Sequence, residues 1–225
     1  MRVRDDPLHP DPGFAELYAA LPDAEDLSPW LEWCRAAKPP VLYLGVGTGR
    51  LAIPLYRAGI ELVGVDAHPG MLARLNARDP DIETYQALIA NLDLGRKFDL
   101  VIGPSSILIP DENLAAATRQ LAPHGRLGME LMNPHWLAEG RHDGVRLLER
   151  PDGSIAMEVD YRLADGTVVV QVVDEPQTGR APEDTEERLE RFGLRLVWMG
   201  SHEDELADSP TYFVLAELDS APTHP

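Results

Sequence analysis

The chain has 225 residues, 44% hydrophobic and 26% charged, enough apolar content to core one globular domain and short for two. Its net charge of −18 is unusual: such a field repels phosphate backbones, and with no Lys/Arg cluster in the chain it disfavours a nucleic-acid partner. The single cysteine, Cys34, excludes an intramolecular disulfide and most structural zinc sites. With an amino terminus lacking the apolar core of a signal peptide and no stretch of membrane-helix length, the expectation is a soluble cytoplasmic protein without a membrane partner.

Residues 1–13 are rich in Pro and Asp and predict a loose start. Phe14, Leu17 and Tyr18, then Trp30, Leu31 and Cys34, repeat at helical spacing and predict two short helices over 14–37, a helical cap ahead of the core. A buried strand at Val41–Leu44 runs into the glycine turn Gly45-Val46-Gly47-Thr48-Gly49. A helix follows, carrying Leu51, Leu55 and Ala58, kinked at Pro54 and stopped at Gly59. Glu61 to Asp66 is a second strand ending in a carboxylate, and Pro69 opens a helix marked by Met71, Leu72 and Leu75. Ile82–Gln86 and Phe98–Ile102 read as strands, Leu114, Thr118 and Leu121 as a helix ended by Pro123, and Leu127–Met132 as a strand covered on both faces. Strands alternating with helices in this way mean βαβ units and a parallel sheet.

The period then changes to two. Ile155, Met157, Val159, Tyr161 and Leu163 alternate with Ala156, Glu158, Asp160 and Arg162, predicting a strand with one wet face. Val168, Val170 and Val172 continue the alternation beyond the turn Ala164-Asp165-Gly166, and Pro151-Asp152-Gly153 turns the chain from Val145–Leu148. This is an antiparallel insertion over 145–173. Acidic residues from Glu183 to Glu187 then open a helix that holds Arg188 and Arg191 and stops at Gly193, read as a solvated face matched to the helix dipole. Leu194–Met199 and Tyr212–Leu218 are the last strands of the 181–218 segment, and the tail after Ser220 is expected to be disordered.

The glycine turn carries the functional signal. Glycines leaving a strand let a ligand approach the backbone, and a carboxylate at the next strand end, about 20 residues on, can accept bonds from ribose hydroxyls. A dinucleotide fingerprint wants its third glycine at the position of Arg50, where this chain has none, and no Gly-Lys-Ser or Gly-Lys-Thr follows to make a phosphate loop. The G-x-G-x-G spacing instead resembles motif I of the class I S-adenosylmethionine-dependent methyltransferases. Val63–Leu72, Arg96–Ile102, and Pro123–Leu127 with Asn133-Pro134 are similar to later segments of that family in the same order, so the resemblance covers 41–134.

The resemblance implies an α/β fold: a Rossmann-like seven-stranded mostly parallel sheet with helices on both faces, the last two strands forming an antiparallel edge hairpin, and here a small antiparallel β insertion, all in a single domain over 1–225. It implies S-adenosylmethionine as cofactor, held by Gly45, Val46, Gly47, Thr48, Gly49, Asp66, Ala67, Met71, Leu88, Ile89 and Gly103. Tyr18 is a candidate lid over it or, alternatively, a core aromatic on a helix face. Two positions depart from the family pattern. Tyr43 stands where an acid usually precedes the first glycine by two residues, and Leu88 where an acid usually receives the adenine amino group; Leu88 and Ile89 can instead sandwich the adenine, with Gln86, Asn91 or backbone taking the amino hydrogen bond.

Ligands of open α/β sheets bind at the carboxyl ends of the strands, which brings forward Ser105, Ser106, Asn133, His135 and His202 and sets His124 aside. Glu130, in a strand expected to be covered on both faces, is either catalytic or part of a structural ion pair. Glu130 and His135 are the candidate catalytic residues. Tyr212, Trp136, Trp198 and Met132 are read as packing more than pocket, and neither the acidic run nor Glu203-Asp204-Glu205 keeps metal-ligand spacing, so no metal is expected. The resulting expectation is a methyltransferase acting on a small-molecule acceptor. The alternative, motivated by Tyr43 and Leu88, is a non-catalytic or repurposed fold binding a nucleoside-like ligand or a protein. The insertion is expected to wall the acceptor side of the site, or else to pack on a second copy of the chain as a homodimer.

Overall fold

The computed structural model describes residues 1–78, 81–138, 143–152, 155–174, 180–203, 206 and 209–219. Its strands are β1 (Arg2–Arg4), β2 (Val41–Leu44), β3 (Leu62–Asp66), β4 (Glu83–Gln86), β5 (Phe98–Gly103), β6 (Leu121–Met132), β7 (Val145–Glu149), β8 (Ile155–Arg162), β9 (Val168–Asp174), β10 (Leu194–Gly200) and β11 (Thr211–Leu218). Its α-helices are α1 (Pro12–Ala20), α2 (Trp30–Ala36), α3 (Ala52–Arg57), α4 (Pro69–Arg78), α5 (Asp111–Arg119), α6 (Pro134–Ala138) and α7 (Thr185–Glu190).

Seven strands form one sheet in the order β10-β11-β6-β5-β2-β3-β4. Pairing is parallel from β4 to β6, and β11 then runs antiparallel to both β6 and β10. Because successive side chains of a strand point to opposite faces, the continuous apolar runs cover both sides. Leu42 and Leu44 belong to the cluster with Leu114, Ala117 and Leu189 of α5 and α7, whereas Val41 and Tyr43 belong to that with Trp30, Ile53, Leu55 and Leu75 of α2, α3 and α4. The strand order reverses at β2, the switch point where such sheets open a ligand crevice.

Several expectations are corrected. Leu121 lies in β6, paired with Phe98, because the helix ends at Arg119 and the chain turns at once into the sheet. Pro54 falls in the first turn of α3, where a missing N–H leaves no intrahelical bond unmade, in place of the expected interior kink. The carbonyl of Arg50 accepts the Ala24 N–H at 2.8 Å, tying the loop after α1 to the glycine turn. Arg50 adds a bond from Nε to the Pro22 carbonyl at 2.7 Å, and Arg78 grips both carboxylate oxygens of Asp23 at 2.7 Å. The acids Glu183, Asp184, Glu186 and Glu187 are exposed, whereas Arg188 beside them is buried. Its side chain is 5% exposed and donates to Asp111 Oδ1 at 2.9 Å and to the carbonyls of Leu108 and Ile109 at 2.9 and 2.7 Å.

The insertion is a separate four-stranded sheet in the order β1-β9-β8-β7. The expected loose start is thus a strand: β1 lies parallel to β9, with Val3 opposite Gln171, and Asp11 caps α1 by accepting the Gly13 N–H at 2.8 Å. Register also corrects the alternation. Tyr161 pairs with Val169 and Val159 with Gln171, so Val168, Val170 and Val172 lie on the face of Arg162, Asp160 and Glu158. That face is not wet throughout. Glu158 is 4% exposed and bridges Arg2 at 2.8 Å and Arg146 at 3.2 Å. The other face packs Val3, Val169 and Tyr161 against Phe14 and Leu17 of α1 and Met71 of α4. The expected tail after Ser220, Gly153 of the turn before β8, and Asp204-Glu205 lie outside the described residues.

Candidate active site

The parallel strands deliver the glycine turn to the crevice. Gly45, Gly47 and Gly49 all have positive φ (71°, 56° and 86°), and the turn is closed on the sheet by the Gly45 and Val46 N–H groups donating to the Val65 carbonyl at 2.8 and 3.0 Å. Two of these glycines have different tasks. A Cβ at Gly49 would lie 2.4 Å from Leu75 Cδ1, so this position exists to seat α4. One at Gly47 would meet nothing nearer than Met71 Sδ, at 3.9 Å, so packing does not demand a glycine there, and Gly47 lines the cleft described next. The carboxylate of Asp66 organises the turn: Oδ2 accepts the Gly47 N–H and Oδ1 the His68 N–H, each at 2.8 Å. The Ala67 N–H also acts on this carboxylate. Burial pushes the Asp66 carboxyl upward, opposed by these backbone bonds.

Beside the turn lies a cleft of about 330 Å³, within the range of small-molecule sites. Tyr18, Gly45, Val46, Gly47 and Thr48 line it together with Glu130. It also takes in Ala24, Asp26, Ser28, Trp30, Tyr43, Arg50, Pro104, Ser105, His202 and Phe213. Tyr18 lines the cleft while its ring packs edge-on to Phe14 at 4.7 Å and sits 6.1 Å from Tyr161. Burial pushes its phenol up.

Glu130 is pinned from behind and makes no ion pair among the described residues: Oε2 accepts the Ser105 N–H at 2.7 Å, and its carbonyl accepts the Ser106 N–H at 3.1 Å. Those two serines have φ of 55° and 62°, a left-handed pair held at the lip of the cleft by this one residue. Tyr43 is 5% exposed beneath it, its phenol pushed up chiefly by burial and further by the Glu130 charge.

Other candidates lie elsewhere. His135 bonds Glu183 Oε1 through Nε2 at 2.7 Å on the exposed surface and does not line the cleft. Ile89 and Met71 are 8% and 3% exposed and packed in the core and against α1, respectively. Gly103 makes room for Leu108, whose Cδ1 would be 2.5 Å from a Cβ there. Ala67 follows Asp66 outside the cleft lining, and Leu88 precedes the 3-10 turn Ile89–Asn91. No described residue of 145–173 lines the cleft, in place of the expected acceptor-side wall; the insertion stands behind α1 because its apolar face is used on Phe14 and Leu17. Sequence reasoning missed Asp26, Ser28, Trp30 and Phe213. The Asp26-Leu27-Ser28-Pro29 turn was a usable local signal, whereas Phe213 reaches the cleft only through pairing opposite Glu130. No cluster of metal-ligating side chains occurs among the described residues, and no helix among them is long and apolar enough to cross a membrane.

Sheet order, glycine turn and Asp66 define the fold as that of the class I S-adenosylmethionine-dependent methyltransferases. Residues 41–125 match the family model of a methyltransferase domain. Over 108 residues the chain is 33% identical to a ubiquinone biosynthesis O-methyltransferase from Bartonella quintana, a match covering 44% of each protein, so the chain spans less than half of that relative. An S-adenosylmethionine-dependent methyltransferase from Clostridium acetobutylicum superposes with a TM-score of 0.70 at 19% identity, over 92% of this chain and 98% of that one. An amino pentose methyltransferase from Micromonospora echinaspora, solved with S-adenosylmethionine bound, gives 0.61 at 19% identity over 92% and 97%. At these identities the structural likeness is one of fold.

Proposed function

We propose that this chain binds S-adenosylmethionine and transfers its methyl group to a small-molecule acceptor. The observation that carries the reading is the Gly47 backbone, bonded to the Asp66 carboxylate at the sheet's switch point and lining a cleft with Glu130 and Tyr43 in it. These groups suit the cofactor: a glycine turn that admits a close ligand, a carboxylate at the strand end for ribose hydroxyls, and aromatic walls. When bound, the cofactor supplies an electrophilic methyl carbon. The chain's own contribution is to hold an acceptor in line with that carbon and to exclude water, which can supply much of the rate in such a displacement. The net charge of −18 supports a small molecule over a nucleic acid, and the buried lone thiol of Cys34 suits a reducing cytoplasm.

Titration calorimetry with S-adenosylmethionine and S-adenosylhomocysteine tests the reading. Saturable binding of both is expected. Absence of heat and of any thermal shift with either would move the chain to the alternative, a repurposed fold without the cofactor.

A further inference from the structure

Resting on the cofactor reading above, we propose that the acceptor is an amine, received as its ammonium ion between Glu130 and Tyr43 and relieved of a proton by His202. Two polar groups in the cleft are left without protein partners among the described residues. Oε1 of Glu130 is one, its other oxygen being occupied by Ser105. The hydroxyl of Tyr43 is the second: the residue is only 5% exposed and lines the cleft, where a ligand donor can reach the oxygen.

The surroundings favour a cation. Carboxylates enter from both sides as Glu130 and Asp26, the latter held below the usual carboxylate range by Ser28, whose N–H it accepts at 2.8 Å. Arg50 is the lysine- or arginine-type cation of the lining, and at the Tyr43 hydroxyl its charge is outranked by those of Glu130 and Asp66. Trp30 and Phe213, edge-to-face at 5.6 Å, add ring surfaces that attract ammonium groups. A hydroxyl acceptor would have to develop oxyanion character between two carboxylates, which like-charge repulsion opposes.

The proton also has a destination. His202 lies in the same lining, its ring 4.8 Å from that of Phe213 and its Nδ1 3.8 Å from Asp26 Oδ2, within reach of an acceptor held in the cleft. The ammonium gives one proton to the neutral imidazole. The freed nitrogen lone pair forms the N–C bond to the sulfonium methyl, the S–C pair stays on sulfur, and the positive charge passes from sulfur to nitrogen. A second proton is lost to solvent as the methylated amine leaves.

The test uses the full chain saturated with S-adenosylhomocysteine and two near-isosteric probes, benzylamine, which is protonated at neutral pH, and benzyl alcohol, followed by saturation-transfer NMR and calorimetry. Benzylamine should bind at least tenfold more tightly than benzyl alcohol. Glu130→Gln keeps an oxygen for Ser105 and should abolish the preference when measured at saturating S-adenosylhomocysteine. If that variant does not fold, Tyr43→Phe carries the same test, with an expected preference reduced at least threefold. Equal binding of the two probes, binding of neither, or a preference that survives in the folded variant overturns the proposal. Failure of the wild-type chain to bind S-adenosylhomocysteine would overturn the cofactor reading first, and the amine assignment with it.

Discussion

Replacing each of the last two glycines of the turn by alanine separates folding from binding. At Gly49 an added methyl meets Leu75 Cδ1 at 2.4 Å and two atoms of Ile53 at 3.1 Å, and φ is 86°. Left-handed backbone with a Cβ costs about 1–2 kcal/mol, and overfilling a packed core about 1–3 kcal/mol, so Gly49→Ala should lose roughly 2–5 kcal/mol. That is a large part of a stability on the order of 5–15 kcal/mol, and it should lower Tm by on the order of 10 °C in a chain of this size. At Gly47 φ is 56°, inside the left-handed well, and the nearest atom is Met71 Sδ at 3.9 Å, leaving only a backbone cost of about 1 kcal/mol. Gly47→Ala should therefore melt close to wild type yet, on the cofactor reading, bind S-adenosylhomocysteine at least tenfold more weakly, because the ligand then lies against this turn. Urea denaturation and calorimetry on both variants decide. A Gly49→Ala protein as stable as wild type would refute the packing role, and full affinity in Gly47→Ala the approach.

Three further outcomes follow from the same geometry. Asp66→Ala removes the acceptor of two backbone N–H groups and, on the cofactor reading, of the ribose hydroxyls; with charged hydrogen bonds at about 1.5–3 kcal/mol each, S-adenosylhomocysteine affinity should fall at least tenfold, and an unchanged affinity in the folded variant would remove Asp66 from the site. Arg188→Met strips donors from two carbonyls and from Asp111, and should cost about 3 kcal/mol in urea denaturation; a loss within about 0.5 kcal/mol would show that solvent replaces those bonds freely. Asp5 is exposed as a residue, but its carboxylate turns in toward buried Gln171, and desolvation first, then the charge of Asp66, raises its pKa to about 6. The native state then holds a proton that the unfolded chain has released, so this contribution is present below about pH 4 and is lost as pH climbs to about 6. Stability measured against an Asp5→Asn variant should decline across that window and level off above it, and a flat difference would mean the carboxylate is solvated.

The sheet was legible because its strands carry local signals. Leu42-Tyr43-Leu44 and Phe98–Ile102 are continuously apolar, the helices between them keep their period, and the glycines and Asp66 sit at strand ends where topology alone makes a crevice. What escaped depends on partners distant in sequence. Arg2-Val3-Arg4 has no strand signal of its own; it becomes a strand because β9 offers an edge and Glu158 a counter-charge. Glu158 looks solvent-facing in its alternation, and only two arginines from neighbouring strands make its burial tolerable. The alternation of valines in β9 does not say which face of β8 they join; register across the turn decides which residues stand opposite, and one residue moves the whole set. At the site, Tyr43 read as a loss of an acid. In space the acid stands beside it, contributed by Glu130 two strands away in the sheet.

The pairing of β1 with β9 has a kinetic side. Asp5 and Gln171, which join hands at the end of that pair, are 166 residues apart, so the closing of the small sheet is among the most non-local events in this chain. During synthesis the first strand leaves the ribosome early and has no edge to join until β9 has followed it, while the strands that carry the glycine turn already lie complete between them. Until then Val3 and the apolar side of α1 remain uncovered, and Tyr18 lacks the Tyr161 neighbour that backs it. Refolding followed at the cleft should therefore show the turn forming first and the Tyr18 wall arriving in a later phase, set by loop closure and slowed by any extension that occupies the β1 edge.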